Sequence, residues 1–284
     1  MKKIKLAVSL VAALVLVLAG CGAGGASSDK NKKINLSYVE WDTEVASTHV
    51  IGKVLEDQGY KVTYTPLDNS VMWQSVANKE SDAMVAAWLP NTHAAQYKKY
   101  KSKVDDLGVN LKGAKIGLTV PAYMNVDSIE DLKNQANKKI TGIEPGAGVV
   151  SAAEKATKDY PNLKGWEVDT SSSGAMTVSL AKALKNKQDI VITGWSPHWM
   201  FAKYKLKYLE DPKKSFGDAE SIHTMARQGL KKDDPKAYKI LDKFNWSKQD
   251  IEDVMLEIND GKDPKDAAAD WVKKHKKEVS EWTK

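Results

Sequence analysis

Ile34-Asn35-Leu36-Ser37-Tyr38-Val39 alternates, and Ala46, Val50, Ile51, Val54 and Leu55 then recur at helical spacing before Gly59. The first run reads as a strand and the second as one face of a helix, with the glycine at its C′ position. Lys61 to Thr65 alternates again, Ser70 is placed to cap a helix carrying Val71, Met72 and Val76, and Ala83 to Leu89 is an apolar strand. Strand, helix, strand, helix, strand implies an α/β unit with a mostly parallel sheet.

Outward from this unit the pattern returns. A Lys-rich helical stretch leads to a strand at Ile116 to Val120, stopped by Pro121, and a capped helix is expected near Asp127 and Ser128, with Asp131 three residues on. Strands follow at Ile140 to Ile143, Trp166 to Asp169 and Asp189 to Thr193, with helices from about Val150 and around Ala175 to Leu184, and residues 234–284 are mainly helical. The repeat is one of architecture and not of sequence. Two α/β lobes are expected: 34–118, rejoined by a C-terminal segment of about 262–284, and 119–261, with a return point anywhere from Ser221 to Asp263.

Residues 1–20 stand apart. Lys2, Lys3 and Lys5 precede an apolar run from Leu6 to Leu18 that is too short to span a bilayer and ends in Leu18-Ala19-Gly20-Cys21, the pattern of a secretory signal. The chain carries 43 Lys+Arg against 37 Asp+Glu, and three of the former lie in this leader, so the remainder carries +3. Such a mild balance argues against nucleic acid as a partner. Cys21 is the only cysteine, which excludes an internal disulfide or a thiolate cluster. Its setting is similar to a bacterial lipoprotein box, and acyl chains there would hold the domain on the outer face of the membrane through a flexible tether, residues 21–33.

In open parallel sheets ligands sit beyond the carboxyl ends of the strands. Those ends carry Glu40-Trp41-Asp42, Trp88-Leu89-Pro90-Asn91-Thr92-His93, Gly142-Ile143-Glu144-Pro145-Gly146-Ala147-Gly148 and Gly194-Trp195-Ser196-Pro197-His198-Trp199. Nine Trp against three Phe reverses the usual order. A Trp at a strand mouth can offer its ring face to a ligand, and several faces around one volume attract a cation, a quaternary ammonium above all because it cannot hydrogen-bond. Trp41, Trp88 and Trp195 are the candidates. The glycine-rich turn from Gly142 presents backbone N–H groups near the positive end of a helix, which suits an anion. It departs from a dinucleotide fingerprint at Pro145 and Ser151, so a carboxylate is the simpler anion, and His93 is placed to donate to it.

A cation cage facing a carboxylate site describes a small zwitterion with a permanently charged nitrogen. The four strand-end motifs resemble those of the glycine betaine/proline betaine-binding proteins of ABC transporters, the OpuAC group, and the resemblance runs from about Ile34 to Lys284. It implies a two-lobe, periplasmic-binding-protein-like fold of type II with the ligand in the cleft. It also implies a Trp prism of Trp41, Trp88 and Trp195 around trimethylammonium, and a carboxylate held by the Gly142 and Ile143 amides with His93. The partners it implies are a permease and an ATPase on other chains. By this resemblance the chain is a monomeric receptor for osmoprotectant uptake, with no catalysis and no cofactor.

Other classes fit less well. Gly194-Trp195-Ser196-Pro197-His198 lacks the second glycine of a nucleophile elbow, and Pro197 disturbs the helix start it needs. The five His, at 49, 93, 198, 223 and 275, show no metal-ligand spacing. Lys273-Lys274-His275-Lys276-Lys277 reads as the polar face of an amphipathic helix whose other face carries Ala268, Trp271, Val272, Val279 and Trp282. Trp73, Trp166, Trp246, Trp271 and Trp282 are assigned to packing, and Trp199 is left open. A choline or carnitine receptor is the nearest alternative; choline lacks the carboxylate, and Asp42 is the nearest acidic side chain to greet it.

Overall fold

The computed structural model describes residues 32–284, so the expected leader, Cys21 and most of the tether lie outside the described residues. The opening alternation forms β1 (Lys33–Tyr38), which leads into α1 (Asp42–Asp57). Ala46, Val50, Ile51, Val54 and Leu55 are all buried on one face of α1. Gly59 follows with φ of 94°, a left-handed conformation that glycine adopts without steric cost. Next come β2 (Lys61–Pro66), α2 (Asn69–Ala77), β3 (Ala83–Leu89) and α3 (Ala94–Tyr100). Every residue of β3 is buried, which is why its sequence is apolar without alternation. Ser70 is not the cap of α2: Asp68 precedes the helix and Ser70 sits within its first turn.

β4 (Val104–Pro121) is 18 residues long, and only its second half was legible as a strand. Val104 to Ala114 pairs with the late strand β9, and Lys115 to Thr119 pairs with β7. The passage from the first half of the molecule to the second therefore occurs inside one strand. The capping box at Ser128 and Asp131 is present but opens only a three-residue 3-10 turn, Ile129–Asp131. The chain continues through β5 (Lys139–Thr141), α4 (Gly148–Asp159), β6 (Glu167–Asp169), α5 (Ser173–Asn186), β7 (Val191–Ser196) and α6 (Trp199–Lys203). After β8 (Leu206–Tyr208) and β9 (Glu220–Arg227) come α7 (Leu230–Asp233), α8 (Pro235–Lys243), α9 (Lys248–Asn259), α10 (Pro264–Lys274) and α11 (Lys276–Thr283).

The strands follow one hydrogen-bonded path, β2-β1-β3-β9-β4-β7-β5-β6, with β8 beside β4. The outer pairs β1–β2, β1–β3, β5–β6 and β5–β7 are parallel, as the helix crossovers require. The pairs around β4 and β9 are antiparallel, so each half carries a mixed sheet and not a wholly parallel one. β9 pairs with β3 from Ser221 onward, so the chain returns beside the first sheet at the early end of the expected span from Ser221 to Asp263. The helices after β9 follow it: α9 and α10 pack on α1. Trp246, Trp271 and Trp282 pack on one another there, with Trp271 and Trp282 stacked at 5.8 Å.

Candidate functional site

Trp41 is the residue before α1, with extended φ and ψ of −88° and 147°, and its carbonyl accepts the N–H of Val45 at 2.8 Å. Trp88 is the penultimate residue of β3, and Trp195 the penultimate residue of β7. Three strands from both halves of the sheet thus deliver one indole each to a common cavity, with 7%, 3% and 4% of their surfaces exposed. His93 and Ile143 line the same cavity. The sequence did not single out Thr43, Thr92, Ile116 or Val149, which also face it. Ala147 and Gly148 close it from the N-terminus of α4, where main-chain N–H groups point outward along the helix axis.

Each indole is held differently. Trp41 Nε1 donates to Glu144 Oε1 in the loop after β5, a bond between the two halves. Trp88 Nε1 donates to Glu44 Oε1 at 3.1 Å. Trp195 Nε1 is buried and has no hydrogen-bond partner among the described residues. The His198 ring meets Trp195 edge-on at 4.5 Å.

His93 is fully buried beside Trp41, their rings stacked at 6.0 Å. Its Nδ1 accepts the backbone N–H of Trp88 at 3.1 Å, which leaves the ring proton on Nε2, a buried atom with no hydrogen-bond partner among the described residues. Desolvation holds the imidazole pKa down to about 3, with the Ala86 carbonyl pulling the other way, so the ring is neutral. Of the two main-chain amides expected on an anion, that of Gly142 is engaged: it donates to the Asp169 carbonyl at 2.8 Å, extending the β5–β6 pairing by one residue. Gly142 does not line the cavity, whereas Ile143 does.

Around the cavity, polar side chains pin the halves together. Asp42, next to Trp41, accepts Ser173 Oγ at 3.0 Å, His198 Nε2 at 3.3 Å and Trp199 Nε1 at 2.7 Å. Burial alone would raise its carboxyl pKa; the hydrogen bond and charge of His198, then Trp199 and Ser173, outweigh it and hold the group at about 2. Trp199, left open by the sequence, bonds Asp42 and does not line the cavity. Glu220, at the start of β9, accepts the N–H groups of Asn91 and Thr92 at 3.1 and 3.0 Å and the Thr92 hydroxyl, fixing the loop that carries His93. No group of His, Cys, Asp and Glu that could hold a metal ion occurs among the described residues. No helix among them is long and apolar enough to cross a membrane.

The cavity suits a small ligand with a cation at the indoles and an acceptor at His93 and Ile143. Comparison with known proteins points the same way. The glycine betaine/carnitine transport binding protein GbuC of Listeria monocytogenes is 50% identical over 171 residues, a match that covers 60% of this chain and 56% of that protein's length. Lactococcal OpuAC, solved in a closed conformation complexed with glycine betaine, aligns with a TM-score of 0.87 at 60% identity, over 89% of this chain and all of that one. A choline-binding protein of an ABC transporter, solved with choline, gives 0.82 at 32% identity, over 88% of this chain and 91% of its own. The family profile that describes the substrate-binding domain of ABC-type glycine betaine transport systems matches residues 32–274, and this chain belongs to that family, OpuAC.

Proposed function

We propose that this protein captures glycine betaine, and proline betaine with it, at the outer face of the cell membrane and presents it to an ABC permease and ATPase on other chains. The observation that carries the reading is the convergence of Trp41, Trp88 and Trp195, from three strand ends, on one cavity that His93 and Ile143 also line. The trimethylammonium group sits among the indole faces. The carboxylate takes the Ile143 N–H and the His93 Nε2–H and faces the N-terminus of α4; Gly142 shapes this turn, its own amide being held by Asp169. Lobe 1 then comprises the first sheet with α1, and lobe 2 the β5–β7 half with α4 and α5. Cys21, once acylated, tethers the monomer.

The magnitudes suffice. A desolvated cation–π contact contributes about 2 kcal/mol, so three give about 6, and charge-assisted hydrogen bonds to the carboxylate add about 1.5–3 each. Ordering costs subtract several kcal/mol. Micromolar binding, about −8 kcal/mol, follows without a metal or a covalent step. Titration of the purified protein with glycine betaine, proline betaine, carnitine and choline, read by Trp fluorescence and calorimetry, tests the reading. Saturable binding of the betaines ahead of choline is expected, and binding of none of the four would refute it.

A further inference from the structure

Glu44 lies in the first turn of α1, three residues after Trp41, and is 1% exposed. Its Oε1 accepts the indole N–H of Trp88 at 3.1 Å, while Oε2 is buried with no hydrogen-bond partner among the described residues. The same indole lines the cavity, so a carboxyl group is attached to the outer edge of a cage wall. A buried carboxylate is costly unless something offsets its charge, and among the described residues Glu44 has one bonded partner, Trp88, which is neutral. Burial pushes its pKa up to about 8, against the pull of the Trp88 bond, so the group holds its proton at neutral pH.

The titratable groups around α1 are otherwise occupied. β3 and α2 carry none. His93, on the loop after β3, is neutral. On α1 itself Asp42 is bonded to the far half of the molecule, His49 Nδ1 is bonded to the Val45 carbonyl at 2.7 Å, Lys53 pairs with Asp57, and Glu56 accepts the Tyr64 hydroxyl at 3.1 Å. β1 brings Tyr38 edge-on to His49, α10 brings Lys265 over the Tyr64 ring, and Glu252 of α9 interacts with Lys248, Asp253 and His198.

We propose that Glu44 is the counter-ion of the cage: when a quaternary ammonium group enters, Glu44 releases its proton to solvent, and the carboxylate left behind Trp88 holds the cation. This rests on the reading of the cavity as a quaternary ammonium site. Such a ligand brings a full positive charge and no N–H, so its charge is met by a field and not by a hydrogen bond. Two unit charges about 7 Å apart in an effective dielectric of about 20 move one another's pKa by roughly one to two pH units. An ionised acceptor on the indole N–H also drives electron density toward the ring face that attracts the cation.

The test is calorimetry of the purified protein with glycine betaine, in buffers of different ionisation enthalpy, from pH 6 to 9. Binding near pH 7 releases roughly 0.4 to 0.8 proton per ligand, and affinity rises by about tenfold or more across the range before levelling. Glu44→Gln keeps an acceptor for Trp88 but cannot ionise; its binding releases no proton and its affinity is flat with pH, at about the level of the parent at pH 6. Betaine binding by the parent without proton release overturns the proposal and leaves the functional reading intact. No betaine binding at any pH overturns both. If the variant does not fold, the parent's proton count decides alone.

Discussion

Asp42 Oδ1 accepts the indole N–H of Trp199 at 2.7 Å and so ties the start of α1 to the start of α6, 157 residues away. With Ser173 and His198 on Oδ2, one carboxylate collects three donors from the opposite half of the molecule, one residue from a cage wall. Oriented donors compensate the half-buried charge, and that charge in turn makes each bond stronger than a neutral one.

Asp42→Asn keeps the shape, removes the charge and turns one acceptor into a donor facing donors. Betaine affinity should fall by about tenfold, mostly through faster dissociation, as when one partner of a desolvated, hydrogen-bonded charge is lost. Stopped-flow fluorescence measures this, and an unchanged dissociation rate would remove Asp42 from the pin. The sign with pH follows from its depressed pKa of about 2: its contribution to stability is full above the unfolded value near 4 and is lost as pH falls toward 2.

Trp195→Ala removes the wall whose indole N–H bonds to nothing else among the described residues, so its loss is one of ring face and packing. About 2 kcal/mol of cation–π attraction corresponds to a factor of about thirty, and affinity for glycine betaine should drop by at least tenfold. Titration by intrinsic fluorescence reads it directly; parent-like affinity would exclude this ring from the cage.

His93→Ala should harm glycine betaine more than choline, because the carboxylate is what a neutral Nε2–H donor recognises. With its pKa held at about 3, His93 should impose no titration on binding near pH 6.5. Parallel titrations with both ligands decide the matter, and equal losses would contradict the assignment.

The convergence of the three indoles on one cavity was legible because they sit at strand ends, where local sequence fixes position. Trp41, Trp88 and Trp195 each follow an apolar run whose period identifies a strand, and their convergence follows from the sheet. The first half of β4 was not legible. Gly108 and Gly113 sit there at positive φ, and three register shifts against β9 break the alternation that marks a strand. Without that segment β9 had no visible partner, so the return to the first sheet was left open over the whole span from Ser221 to Asp263. The pins at Asp42 and Glu220 join residues more than a hundred positions apart, and nothing in the local pattern of either side announces the other. Ser128 and Asp131 show the converse: a true capping signal that the chain abandons after three residues.

Glu44 makes folding stability fall as pH rises. Its folded pKa of about 8 lies above the unfolded carboxyl value near 4.3, so the folded state binds the extra proton between the two. Its contribution is fully present below about pH 4 and declines by up to about 1.4 kcal/mol per pH unit until pH 8. Denaturant unfolding of the parent and of Glu44→Gln from pH 5 to 9 measures the difference; parallel curves would show that Glu44 does not hold its proton in the fold.

Gly148 opens α4 directly against the loop after β3. A Cβ there would lie 2.4 Å from Thr92 Cγ2 and 2.5 Å from the Thr92 carbonyl oxygen. The side chain could turn away, but the carbonyl belongs to a backbone held by Glu220, so the contact is relieved only by moving the two halves apart. Within α4 an alanine is otherwise a better helix former than glycine. Gly148→Ala should therefore keep a cooperative thermal transition while the cavity wall formed by α4 stands off from Thr92 and His93. Overpacking of this kind costs about 1–3 kcal/mol, which corresponds to a loss of betaine affinity of about five- to 150-fold. Calorimetry alongside thermal melts separates the two effects: lost affinity with a preserved melt places the cost at the junction of the halves, and parent-like affinity would mean that their approach at Gly148 does not govern binding.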